Sequence, residues 1–214
     1  VEIGGGTSGD TFQGTITQII AKADNTIIKT ENALVVAKGT ASFVATDGTS
    51  NILVYGSTSA AAVKVGDKVT IEATKTTYGS IPELSTPTVT VSSSGNAVAY
   101  PAVKDITSTF DTYTSTAVEY ISFKGTLSVT TSGTKTYYNV NVNGATSKTG
   151  SISGPSDDLG VAAMNGKVVT ITGYFAGFSG TGNAYVNILP TAVTPDGDAK
   201  FFTVSPVKLT PAAT

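Results

Sequence analysis

Histidine, cysteine, tryptophan and arginine are all missing from this 214-residue chain. Without histidine there is no Ser-His-Asp triad and no imidazole metal ligand. Nor is there any side chain whose unperturbed pKa lies near neutrality. Without cysteine there is no disulfide, no zinc knuckle and no thiol nucleophile. The 13 basic residues are all lysine, so no side chain offers a bidentate fork to phosphate, carboxylate or guanine. Charge itself is scarce, at 13% of residues with a net of −2. It is also spread evenly, with six lysines and seven acids in residues 10–96 and the same in 97–206. Neither half carries the basic face of a nucleic-acid binder. No apolar run approaches the ~18 residues of a membrane span.

Threonine, serine and glycine fill the space that charge leaves. Hydroxyls rather than charges covering strands are the composition of a secreted or surface β-protein. The length suits two domains of ~100 residues each, enough for two small cores without disulfides.

The chain repeats itself, which is the first thing to establish about any sequence. Ile16, Ile19, Ile20 and Ala23 fall at helical spacing, and Ile106, Phe110 and Tyr113 do the same. Leu34 then matches Leu127, Asp47-Gly48 matches Asn143-Gly144, and Val69-Thr70-Ile71 matches Val169-Thr170-Ile171. The offset between copies grows steadily along the chain, as expected when loops gain residues and elements stay in order.

In the first copy Thr15 and Gln18 form a capping box opening a short helix. Strands are predicted over 26–37, 41–46, 51–55, 67–73 and 82–91, with Asp47-Gly48 as a hairpin turn. In the second, Asp105 is a candidate N-cap of a helix through Tyr113. Strands are predicted over 120–130, 136–142, 146–153, 167–175 and 184–193. Five strands with a break between the third and fourth is the arrangement of an OB barrel. The fold class expected is therefore all-β, two tandem five-stranded OB-like barrels with one short helix each. The predicted layout is a tether over 1–9, a first domain over 10–96, a second over 97–199 and a tail over 200–214. The polar segment Ser92–Asn96 is the expected linker, between halves that should each fold alone.

Particular segments carry a resemblance. Ile16–Asp24, Phe43–Thr49, Ile52–Gly56, Val65–Ile71 and Tyr78–Leu84 are similar to OB-fold modules in secreted and lipid-anchored surface proteins of Bacteroidetes-type bacteria. The second copy matches less well, since Met164-Asn165-Gly166-Lys167 replaces the Val-Gly-Asp-Lys turn. The resemblance implies the fold and an extracytoplasmic location, with a lipid anchor upstream of Val1 as one form of it. It implies no activity and no catalytic residues. The tail 201–210 is similar to the opening strand of Ig-like modules in such proteins, or is a final strand.

OB barrels take ligands on the face of the second and third strands, edged by neighbouring loops. That face would bring Phe43, Asn51 and Tyr55 in the first copy, and Tyr137, Tyr138, Asn139 and Asn141 in the second. The loop after the fourth strand adds Tyr78, and Phe175, Phe178, Asn183 and Tyr185. Strand alternation sends some of these inward. Val140 and Val142 mark the core side of their strand, so Tyr137, Asn139 and Asn141 should point out. The candidate ligand-binding set is Tyr137, Asn139, Asn141, Phe178, Tyr185 and Tyr78, with Gly177–Gly182 as an edging loop.

Other motifs carry less. Asp157-Asp158 and Asp196-Gly197-Asp198 are too closely spaced for a full calcium loop and suit turns. Gly177-Phe178-Ser179-Gly180-Thr181 misses the nucleophile elbow at Thr181, and no histidine exists to activate Ser179. Asp67 and Glu83 are not set at the separation glycoside hydrolysis needs. The expectation is a monomeric, non-enzymatic binding or adhesion module without cofactor or metal, and a surface glycan or protein as partner. A single-stranded nucleic-acid-binding pair and a structural spacer are the alternatives, the former disfavoured by the charge.

Overall fold

The computed structural model of the protein describes residues 10–197. The predicted tether, the tail over 200–214 and Asp198 lie outside the described residues. The chain forms two mostly-β modules of the same topology.

The first module opens with a two-residue strand, β1 (Phe12–Gln13), and helix α1 (Ile16–Ile20). The capping box forms as the sequence predicts. The Gln18 N–H donates to Thr15 Oγ1 at 3.3 Å, and the Thr15 N–H to Gln18 Oε1 at 3.0 Å. β2 (Ile27–Lys38), β3 (Ser42–Thr46) and β4 (Asn51–Tyr55) follow. Helix α2 (Ser57–Ala61) fills the predicted break, and β5 (Lys68–Tyr78) and β6 (Ile81–Ser93) complete the set. The order is β1-β2-β3-β4-β6-β5, and β2 also pairs with β5, so five strands close into a ring. Ile16, Ile19, Ile28, Val35, Phe43, Ile52, Val54, Ile71 and Leu84 fill its core.

The second module repeats this with β7 (Lys104–Asp105), a 3-10 helix over Thr107–Thr112, and β8 (Tyr120–Ser132). β9 (Lys135–Val142), β10 (Thr149–Ile152), β11 (Val168–Ser179) and β12 (Tyr185–Pro195) follow. Two short 3-10 turns occupy the break between β10 and β11. The ring closes through β8–β11, and the third and fifth strands of each ring, β4 with β6 and β10 with β12, run parallel. The two tandem OB-like barrels expected from the sequence are present. Asp105 serves from one residue before the cap, its carboxylate accepting the Thr107 N–H at 2.9 Å.

One sequence match shifts by a residue. Leu127 exchanges backbone bonds with Gly166 and Lys167, and in the first barrel it is Val35, not Leu34, that bonds Gly66 and Asp67 in the same way. A register break in β2 between Thr30 and Ala33 displaces the copies, with Asn32 at a φ of 58°.

Both barrels tie their first helix to the hairpin between the second and third ring strands, with roles exchanged. In the first, Asp47 of the hairpin accepts from the Thr17 N–H of α1 at 2.8 Å, and from its own Thr49 and Ser50 N–H groups. In the second, Asp111 of the 3-10 helix accepts from the N–H groups of Thr146, Ser147 and Lys148 in the hairpin. Burial pulls the Asp47 pKa up, but the backbone donors outweigh it and hold it at about 2. The Thr146 N–H, ahead of its neighbours, holds the Asp111 carboxyl well below the usual range.

Beyond the expected linker Ser92–Asn96, apolar and polar contacts join the two modules. Val44, Leu53 and Ile81 from the outside of the first barrel belong to the same apolar cluster as the second barrel's core. Polar contacts cross the same junction. The Phe178 N–H donates to the Gly79 carbonyl at 2.8 Å, and the Thr40 N–H to the Gly154 carbonyl at 2.9 Å. Asn51 Nδ2 donates to the Val118 carbonyl at 3.0 Å, and Ser80 Oγ to the Ser115 carbonyl at 2.6 Å. The linker residue Asn96 is itself tied back to the Gly66 carbonyl. Gly79 allows a close backbone approach. It has a φ of +53°, and a Cβ there would lie 2.4 Å from the Phe178 carbonyl oxygen.

Candidate functional site

Strand alternation decides which face of each barrel is free. In β3 and β4 of the first barrel, Phe43, Ala45, Ile52 and Val54 point into the core. Phe43, a candidate face residue, is thus a core residue. The opposite face carries Val44, Asn51, Leu53 and Tyr55, joined by Ile81 and Glu83 of β6. That face docks on the second module: Val44, Leu53 and Ile81 pack there and Asn51 bonds there. Much of the corresponding face of the first barrel is therefore covered by its neighbour. The sequence held a signal for this. Ser42–Ala45 and Ile52–Val54 are buried at every position, and a strand that is continuously apolar is buried on both faces.

The corresponding face of the second barrel stays open. In β9, Val140 and Val142 are buried and Tyr138 packs half-buried on the core, while Tyr137 (45% exposed) and Asn141 face solvent. Asn139 lies on the same outer face, half-buried. Pairing registers align it with neighbours: Ser128 on β8, Asn139 on β9, Ser151 on β10 and Asn187 on β12 stand side by side. A hydroxyl-and-amide row thus crosses four strands, with Tyr137 at one flank. Tyr185, exposed, aligns with Thr149 on β10 and Ser179 on β11. Sequence reasoning missed Ser128, Ser151 and Asn187 of this row, and Asn187 is the one held by its own hydrogen bonds. Its Nδ2 donates to the Gly177 carbonyl at 2.9 Å and to Ser179 Oγ at 3.0 Å, which fixes the amide.

Phe178 does not belong to this surface. It is 5% exposed, with its ring 4.7 Å from Phe175 and 6.1 Å from Tyr113, centroid to centroid. β11 runs on to Ser179 instead of ending near Phe175, through a register break between Phe175 and Phe178. Gly177, at a φ of +87°, lets the strand bend without stopping. The glycines that suggested a loop over 177–182 therefore sit partly in a strand. Asn183 is exposed in the 3-10 turn that follows. Gly180 is covered by the Tyr185 ring, 2.8 Å from where a Cβ would sit.

Tyr78 lies elsewhere again. It lines a cleft of about 340 Å³ at the junction, together with Leu53, Tyr55 and Glu83 of the first module and Ser153, Ala176, Ser179 and Asn187 of the second. Glu83, 7% exposed, is part of the lining of this cleft. Burial pushes its pKa up to about 7, with no hydrogen bond or nearby charge offsetting the rise. Asn187 and Ser179 belong to both features, so the cleft adjoins the outer row of the second barrel. Among the described residues no group of acids is placed to hold a metal ion, and no helix is long and apolar enough to cross a membrane.

The fold and these faces define a tandem OB-like pair with one face largely covered by docking and one open. No family model matches the chain, and no curated protein matches it. Among solved structures it is similar to a murine DNA-binding protein bound to double-stranded DNA. That match has 12% identity and a TM-score of 0.38, and covers 79% of this chain and 96% of that one. It is also similar to the Ifi202 HINa domain in complex with a 20-bp DNA duplex. Here the identity is 10% and the TM-score 0.35, and the match covers 77% of this chain and 92% of that one.

Proposed function

We propose that this chain is a glycan-binding module of an extracytoplasmic protein, without catalysis of its own. The observation that carries the reading is the open outer face of the second barrel. There Tyr137 flanks an aligned row of Ser128, Asn139, Ser151 and Asn187, while the matching face of the first barrel is largely covered by docking. Sugars offer hydroxyls and a faintly apolar ring face. Amides donate and accept toward hydroxyls in one plane, and an exposed tyrosine ring gives the sugar face a flat partner at little entropic cost. Neighbouring strands lie ~4.7–4.9 Å apart, so the row can meet successive hydroxyls. The hydroxyl-rich, arginine-free composition supports a glycan over a nucleic acid, whose binding depends on basic groups. Composition and the resemblance to surface OB modules support the extracytoplasmic location.

A glycan array on the full chain tests this, followed by Tyr137→Ala and Asn141→Ala on any hit. Each change should weaken binding at least tenfold. Binding that survives both, or an array without hits, removes the open face as a glycan site. Single-stranded oligonucleotides should bind no tighter than about 10⁻⁴ M at physiological salt. Sub-micromolar binding with a steep salt slope would put nucleic acid in place of the glycan.

A further inference from the structure

The junction cleft contains a group that the open face does not explain. Glu83 is a carboxyl largely withdrawn from bulk water, lining the cleft, with no hydrogen-bond or charge partner among the described residues. A buried charge is costly unless it is paired, and no lysine lies among the lining residues. β6 brings Glu83 itself, β4 brings Leu53 and Tyr55, and β5 brings Tyr78, with Thr76 as the cross-strand neighbour of Glu83. The second module brings Ser153, Ala176, Ser179 and Asn187. Apart from Glu83, the titratable groups facing the cleft are the phenols of Tyr55 and Tyr78. Both rings are more than half exposed.

We propose that this cleft binds a small organic cation through its ammonium group, with Glu83 as counter-ion and Tyr55 and Tyr78 as flanking rings. Each feature selects against other ligands. An anion would meet a carboxylate and no cation. A divalent metal needs several oxygen ligands, and the cleft holds one acid. A neutral hydroxyl can bond Glu83 but cannot offset its charge. An ammonium group, protonated or quaternary, offsets that charge, and tyrosine faces attract it through their quadrupole. The volume, about 340 Å³, is at the small end of ligand pockets and suits a ligand of several heavy atoms. This site does not depend on the glycan reading: its key residues are Glu83, Tyr55 and Tyr78, and those of the open face are Tyr137, Asn139 and Asn141.

Binding should be linked to protons. A carboxyl that titrates near 7 is mostly neutral at pH 6 and mostly ionised at pH 8. A cation that takes only the ionised form therefore binds about tenfold more tightly at pH 8 than at pH 6. The test is an amide-resolved NMR titration of the full chain with choline, whose charge does not vary with pH. Its neutral carbon isostere, with a tert-butyl group in place of the trimethylammonium, serves as control. Choline should shift the amides of Gly79, Phe178 and Asn187, more strongly at pH 8, and the isostere should not. Glu83→Gln keeps the shape and should abolish the pH dependence and most of the binding. Tyr78→Ala keeps the carboxyl and should weaken binding several-fold at both pH values. Equal binding of choline and the isostere overturns the proposal. So does choline binding unchanged in Glu83→Gln, or no choline shift at either pH.

Discussion

Glu83 makes the stability of this protein fall as pH rises through neutrality, and Glu83→Gln should remove that fall. Burial raises the carboxyl from 4.5 to about 7. Between those values the folded chain holds a proton that the unfolded chain has released. Stability is thus highest below the unfolded value, drops as pH climbs through the window, and levels off above the folded value. At about 1.4 kcal/mol per tenfold change, the full rise would be worth about 3 kcal/mol. The cleft is open to solvent, and water in it screens the charge, so about 1–2 kcal/mol is the expected loss. For a chain of this size that is roughly 2–8 °C in melting temperature. The chain has no histidine, so few other groups titrate in this range. Thermal and urea melts at pH 5, 7 and 8.5 would measure it. The wild type should lose stability across the series and the glutamine variant should stay level, overtaking the wild type above pH 7. Parallel curves for the two proteins would refute the account of Glu83 as an uncompensated buried acid.

Other outcomes follow from the junction and the helix ties. Expressed separately, residues 10–96 and 97–197 should each melt below the full chain and bind a hydrophobic dye, because Val44, Leu53 and Ile81 lose their cover. Halves that melt at the full chain's temperature would show that the junction adds no stability. Gly79→Ala should cost about 2–4 kcal/mol from the left-handed backbone and the clash with Phe178. Gly48→Ala, at a φ of +89° with open space around it, should cost only the strain of about 1–2 kcal/mol. A chemical melt in which the two cost the same would remove the close approach. Asp47→Ala should cost about 1 kcal/mol through its lost backbone bonds. The wild-type advantage should fade in melts as pH falls from about 4 toward 2, because the folded carboxyl titrates at about 2.

The barrels were legible because their signals are local. The capping box, the Asp47-Gly48 and Asn143-Gly144 turns, and the alternation in β9 each name an element within a few residues. β1 and β7 were not, because two residues paired to a distant strand leave no pattern. The junction was missed for a different reason. Continuous burial in Ser42–Ala45 and Ile52–Val54 says that both faces are covered, but not by what. Of the candidate site, Tyr137, Asn139 and Asn141 followed from alternation against Val140 and Val142. Phe178 failed because glycines beside it looked like a loop, where Gly177 only bends a strand. Glu83 was visible as a residue, but its isolation depends on a wall that the second module supplies.

The largely covered face of the first barrel also bears on valency. A duplicated binding module ordinarily gives two equivalent sites, and two linked sites gain strength through effective concentration without any new contact. Here one of the two faces has become the seat for the other module, and Asn51, Leu53 and Ile81 are committed to holding it. What duplication offered as a second hand has been turned into a grip on the first. A ligand on the open face should bind this pair once per chain. Multivalent binding through the open face then requires more than one copy of this pair.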